Sequence, residues 1–105
     1  MADRKIYTDG GYGMTDHSVE YFRKLKGKLG SIHKIRIDDG REFSTEITSD
    51  KAIVLLSGVN CGYGGTGPHG TVRILDMLGL KTAERVKRIF GEKQVHITPS
   101  VNCEW

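Results

Sequence analysis

Residues 52–80 read AIVLLSGVNCGYGGTGPHGTVRILDMLGL, and their reading decides the fold: an apolar run, a glycine loop and a helical pattern in immediate succession. The five consecutive apolar side chains at 52–56 lack the alternation of a half-exposed strand, which predicts a central strand buried on both faces. Six glycines between Gly58 and Gly70 predict positive φ angles and N–H groups uncovered by side chains, so the loop can wrap an anion. Gly67-Pro68 supplies an N-cap and a first helical residue, because the N–H that proline lacks is one a helix start cannot satisfy. Val72, Ile74, Leu75 and Leu78 form an apolar stripe, and Gly79 ends the helix.

Working outward, Ile6 to Thr8 predicts a short strand, followed by a second glycine cluster at residues 9–13 and a second loop-to-helix transition. Thr15 or Asp16 can cap that helix. Val19, Phe22, Leu25 and Leu29 recur at helical spacing, Gly27 weakens the last turn and Gly30 stops it. From Ile32 to Ile47 the pattern alternates around Asp38-Asp39-Gly40, which predicts a tight hairpin with Lys34, Arg36, Arg41 and Glu42 on its polar face. Thr82 can cap a further short helix with Ala83, Val86, Ile89 and Phe90 inward and Gly91 at its end, and Gln94 to Thr98 closes the sheet before Pro99. The expected fold class is therefore α/β (α+β): one domain over residues 1–105, a small mixed sheet with a central strand, a β-hairpin and two or three short helices.

A chain of 105 residues is large enough for a single core. Its two cysteines, Cys61 and Cys103, are too few for a secreted disulfide framework. The opening MADRKIYTDGG lacks the apolar stretch of a signal peptide, and no apolar run is long enough to span a bilayer. A cytoplasmic protein without membrane partners is expected. The formal charge is +3, with Arg23, Lys24, Lys26 and Lys28 forming one basic cluster and Lys81, Arg85, Lys87 and Arg88 another. These are solvated helix faces or, alternatively, surfaces for a nucleic-acid or protein partner.

The glycine loop invites comparison with known phosphate binders. Gly62-Tyr63-Gly64-Gly65-Thr66-Gly67 is G-x-G-x-x-G between a strand and a helix, and over those six residues it resembles the dinucleotide-binding fingerprint. The acidic residue that should close a second strand falls instead inside a predicted helix, at Glu84. The same loop twice matches the glycine spacing of a P-loop, yet no Lys-Ser/Thr pair follows, which argues against nucleoside triphosphate hydrolysis. Lys5-Ile6-Tyr7-Thr8-Asp9-Gly10 resembles the opening strand of ribonuclease H enzymes, in which the aspartate is a metal ligand. The later carboxylates of that family have no counterpart here, and Asp9 reads as a turn residue.

Cys61 and His69 flank the loop and define an alternative, a small enzyme acting on a phosphorylated or carbonyl substrate through a thiolate; otherwise Cys61 is a small buried side chain. His17, His33, His69 and His96 lack metal-ligand spacing, and neither a metal nor a cofactor is expected. Gly-Tyr-Gly occurs at 11–13 and 62–64, and Val-Asn-Cys at 59–61 and 101–103, echoes suggesting that these segments converge. The leading expectation is binding, without turnover, of a phosphorylated small molecule, a nucleotide or nucleotide-derived messenger, by a sensor or sequestering protein of the sort phages deploy against nucleotide-signalling defences. Its residues are the loop glycines Gly62, Gly64, Gly65, Gly67 and Gly70, with Asn60, Thr66, His69, Thr71 and Arg73 as polar contacts and Tyr12 and Tyr63 as stacking faces. A chain this small often builds its pocket in a homo-oligomer, and Trp105 near the chain end adds to that expectation.

Overall fold

Alternation along the strands sets the architecture seen in the computed structural model, which describes residues 4–99. The elements in order are β1 (Lys5–Thr8), α1 (Thr15–Leu25) with a 3-10 turn (Lys26–Lys28), β2 (Ile32–Asp38), β3 (Thr45–Ser49), β4 (Ala52–Leu56), α2 (Thr66–Met77), α3 (Ala83–Gly91) and β5 (Gln94–Ile97). The strands form one five-stranded mixed sheet in the order β1-β4-β3-β2-β5, with β1 parallel to β4 and every other pair antiparallel.

Register aligns Ile97, Ile35, Ile47, Val54 and Tyr7 across the sheet, and beside them Val95, Ile37, Thr45 and Leu56. Both rows lie on one face and enter a single core with Val19, Phe22, Leu25 and Leu29 of the α1 segment, Ile74 and Leu75 of α2, and Ile89 of α3. All three helices therefore cover the same side of the sheet. The opposite face carries His96, Arg36, Glu46, Leu55 and Thr8 in one row and Lys34, Thr48, Ile53 and Ile6 in the next. No helix of the described residues packs there, which corrects the expectation for β4: Ala52, Val54 and Leu56 are buried, while Ile53 and Leu55 are only half-buried. An unalternating apolar run does not require a second covering layer when neighbouring side chains shield the outer face in part.

The hairpin also departs from expectation. β2 ends at Asp38 and β3 begins at Thr45, so the connection is a six-residue loop, 39–44, that takes in Phe43, Arg41 and Glu42. A two-residue Asp-Gly turn needs positive φ at both central positions, and Gly40 is absent from the positive-φ glycines. The loop is closed instead by Asp38: its N–H donates to Ser44 O at 2.7 Å, and its carboxylate takes Arg36, Arg41 and the Gln94 amide.

Helix boundaries follow the sequence more closely. Gly30 and Gly79 adopt the positive φ of stop residues, and the Thr82 hydroxyl accepts from the Arg85 N–H. α1 starts after Met14 rather than with Thr15 or Asp16 as cap, α2 starts after Gly65 with Pro68 at its third position, and Ala83 of α3 is exposed.

The two N-terminal helix segments meet at glycines. A Cβ on Gly70 would stand 2.4 Å from Thr15 Cγ2 and 2.8 Å from Val59 Cγ1, and one on Gly58 would stand 2.3 Å from the Met14 backbone. Backbone cannot yield as a side-chain tip does, so Gly58→Ala should destabilise the protein by about 3 kcal/mol in urea unfolding. Gly64→Ala, where no atom lies within 4 Å, should stay within about 0.5 kcal/mol of the parent. Equal costs for the two substitutions would contradict this packing.

Candidate functional site

β1 and β4 are parallel neighbours, so the loops that leave their C-terminal ends emerge side by side. Asp9, the first residue after β1, joins them. Its side chain is 3% exposed and receives four hydrogen bonds: Oδ1 from Gly11 N–H (3.1 Å) and Ser57 Oγ (2.9 Å), Oδ2 from Ser57 N–H (2.9 Å) and Ser18 Oγ. Ser18 Oγ in turn accepts from Gly58 N–H, and Ser57 Oγ from Gly13 N–H. Thr15 Oγ1 donates to Gly58 O at 2.7 Å. Burial pushes the Asp9 carboxyl up, but the bonds from Ser18, Ser57 and Gly11 outweigh it and hold the group below its ordinary 3.8. Asp9 is thus the anchor of both loops, not merely a turn residue, and among the described residues no cluster of carboxylate, histidine or cysteine groups around it could hold a metal.

The anchored loops start α1 and α2 next to each other, and the two helices enclose a groove of about 490 Å³. Gly13, Met14, Thr15 and Asp16 line one side; Thr66, His69, Gly70 and Arg73 line the other. Neither helix has a side-chain cap, since its N-cap residue is Met14 or Gly65. The first-turn N–H groups that helix geometry leaves without an intrahelical acceptor, Pro68 having none, thus receive no side-chain cap, and the positive end of each helix dipole lies at the groove. Arg73 Nη1 bonds Asp16 Oδ1 at 3.1 Å across it, and the His69 ring stands edge-on to Phe90 with centroids 4.8 Å apart.

Of the residues singled out from sequence, Thr66, His69, Gly70 and Arg73 line the groove. Tyr12 and Tyr63 are exposed on the two loops; Tyr12 packs edge-on to His17, and the Tyr63 ring folds over Gly65. Asn60, Gly62, Gly64, Gly65, Gly67 and Thr71 are not among the residues lining the groove. Gly62 is the single loop glycine between 58 and 70 with positive φ, and its N–H is spent on Ile89 O at 2.8 Å. A Cβ on Gly67 would sit 2.0 Å from Asn60 Oδ1, whereas Gly64 faces open space. The Thr71 hydroxyl donates to Asn60 O at 2.7 Å, tying the loop to α2. Asn60 Oδ1 is buried without a partner among the described residues.

The sequence reading missed Gly13, Met14, Thr15 and Asp16, although the repeated Gly-Tyr-Gly pointed to that loop. The second Val-Asn-Cys, Cys103 and Trp105 lie outside the described residues.

Cys61 faces away from the groove chemistry. It is fully buried, its Sγ donates to Ile37 O at 3.6 Å, and burial, with Asp39 and Glu92 nearby, pushes the thiol up to about 11. A buried thiol pushed up in this way is a poor source of thiolate near neutrality, which weighs against the Cys61/His69 alternative. Of the basic clusters, Lys24, Lys26 and Lys28 are exposed, while Arg23 bonds Glu20, Arg85 donates to Leu80 O and Arg88 to His96 O.

Asp9→Asn keeps the shape but turns an NH2 toward two donors, so it should cost about 2 kcal/mol near neutral pH. Because the folded carboxyl lies below 3.8, its contribution is complete above that pH and is lost as the pH falls through the folded value. The stability gap between parent and variant in urea unfolding should therefore shrink below pH 3.8; a gap that does not respond to acid would contradict the assignment. No known family, curated protein or solved structure matches this chain.

Proposed function

We propose that this protein binds a phosphorylated small molecule, a nucleotide or nucleotide-derived messenger, in the groove between the starts of α1 and α2, and holds it without turnover. One observation carries the reading: both helices begin, without side-chain caps, on the same groove. Unpaired amides and two positive helix ends favour a phosphate there. Thr66 and His69 add hydrogen-bonding groups, and Arg73 is a cation on the groove wall that already offsets Asp16. Tyr12, Met14 and Tyr63 are exposed on the flanking loops and offer surfaces to a base.

Holding is favoured over turnover because the only cysteine among the described residues is buried and protonated, and among them no carboxylate orients the His69 ring. The reading extends to a cytoplasmic sensor or sequestering protein that works as a homo-oligomer. No helix among the described residues is long and apolar enough to cross a membrane.

The test is a thermal-shift screen against a pool of nucleotides and phosphorylated metabolites. A ligand at a hundred times its dissociation constant should add about 2.7 kcal/mol to stability. His69→Ala combined with Arg73→Ala should abolish most of that shift while leaving the unliganded protein nearly as stable, since the exposed Arg73–Asp16 pair contributes about 0–1 kcal/mol. A pool in which no member raises the melting temperature would overturn the proposal, as would a ligand shift untouched by the double substitution.

A further inference from the structure

The two edges of the sheet differ. At the β5 edge, Arg88 of α3 reaches over to donate to His96 O at 3.3 Å, so a side chain covers part of the free backbone. β1 has no such cover among the described residues. Its Lys5 N–H donates to Lys51 O at 3.1 Å, and the next residue after the strand, Asp9, donates to Leu55 O at 3.2 Å. Odd-numbered positions therefore address β4, and strand alternation turns the N–H and C=O groups of Ile6 and Thr8 to the open edge. The register from Lys5↔Ala52 to Thr8↔Leu55 is unbroken, with no bulge and no proline to blunt the edge. Ile6 is 63% exposed beside the half-buried Ile53 on the sheet face that no helix covers. A straight edge strand that no described residue covers, with an exposed isoleucine, is a template for another strand.

We propose that β1 pairs antiparallel with β1 of a second copy of this chain, about a two-fold axis through Ile6, to form a continuous sheet with twice the five strands of one chain. Parity and charge select this register. Only outward-facing residues can exchange backbone bonds, so Ile6 must lie opposite Ile6 or be shifted by two. Shifting one way sets Lys5 directly opposite Lys5 of the second copy, a destabilising like-charge pair. Shifting the other way sets Ile6 opposite Thr8 and breaks the isoleucine contact. With Ile6 on the axis, Lys5 lies opposite Tyr7 and Arg4 opposite Thr8, so no like charges are opposed over residues 4–8. Within one chain Lys5 Nζ already sits 5.4 Å from the Tyr7 ring centroid, and the pairing offers it the same kind of partner across the interface. Three outward pairs, each exchanging two bonds, give about six inter-chain hydrogen bonds. On the open face the register Ile6↔Ile53 continues into an uninterrupted row of four isoleucines, two from each chain. The two-fold closes the assembly, because it uses the same edge of both copies. This association does not depend on what the groove binds.

Size-exclusion chromatography with light scattering, run over a concentration series, tests it. The parent chain should reach twice its 11.7 kDa mass, and Ile6→Lys, which opposes two ammonium groups at the axis, should run at the single-chain mass with an unchanged circular dichroism spectrum. Ile6→Pro should do the same by removing the N–H on the axis, a substitution an outward-facing edge position tolerates. Amide hydrogen exchange on the parent provides a readout independent of any variant: protection of the Ile6 and Thr8 N–H groups should rise with concentration while that of Lys5 and Tyr7 stays constant. A parent protein that stays at single-chain mass, a folded Ile6→Lys dimer, an open-ended assembly, or Ile6 protection independent of concentration would each overturn the proposal.

Discussion

A single buried carboxylate holds together the part of the molecule where chemistry can happen. Asp9 sits where β1 ends, and both of its oxygens are saturated by donors from three separate segments: its own loop at Gly11, the β4–α2 loop at Ser57, and α1 at Ser18. A buried anion is costly unless it is fully hydrogen-bonded, and here the bonds fix where two loops and one helix stand relative to each other. The serines extend the network by accepting N–H groups of Gly13 and Gly58, so that the starts of both chain reversals are committed to one centre. The parallel pairing of β1 with β4 makes this geometry available, because only parallel neighbours send their following loops out at the same end of the sheet.

The glycines act within that frame in a different way from the one their density suggests. A glycine-rich loop after a strand reads as a backbone freed for positive φ and for wrapping an anion, but between 58 and 70 only Gly62 uses that freedom. Gly58 and Gly70 are small because α1 and its leading residues come within touching distance, and Gly67 because Asn60 lies over it. The close approach brings two helix starts together, and the groove is the space left between them. On the proposed function, an anion in the groove would meet helix ends more than the loop's own amides.

These particulars explain what could be read from the sequence. Local rules worked where local chemistry decides: the 3.6-residue spacing of Val19, Phe22 and Leu25, the stop glycines Gly30 and Gly79, and the Thr82 cap all stand as the pattern implied. They failed where a distant partner decides. The hairpin turn widened because Asp38 is claimed by Arg36, Arg41 and Gln94. Five consecutive apolar residues predict a β4 buried on both faces, yet they carry no information about which layers lie above and below them. Half of the groove wall, Gly13 to Asp16, was invisible because its importance depends on a hydrogen bond between Asp9 and Ser57, 48 positions apart. The bond from the Thr71 hydroxyl to the loop carbonyl of Asn60 is likewise a tertiary feature that the sequence pattern does not display.

The proposed function rests on this arrangement: a carboxylate at the sheet end fixes two loops, the loops bring two uncapped helix starts to one groove, and in the proposal that groove is where a phosphorylated ligand would sit. The most direct test of that chain is a nuclear magnetic resonance titration of the isotopically labelled protein with the nucleotide or phosphorylated metabolite that it binds most tightly. The account predicts that the largest amide shifts fall on residues 13–17 and on 65–67, 69 and 70, on both sides of the groove together. Shifts confined to one helix, gathered on the open face of the sheet or along the exposed lysines of the α1 end, or absent at saturating ligand, would contradict it.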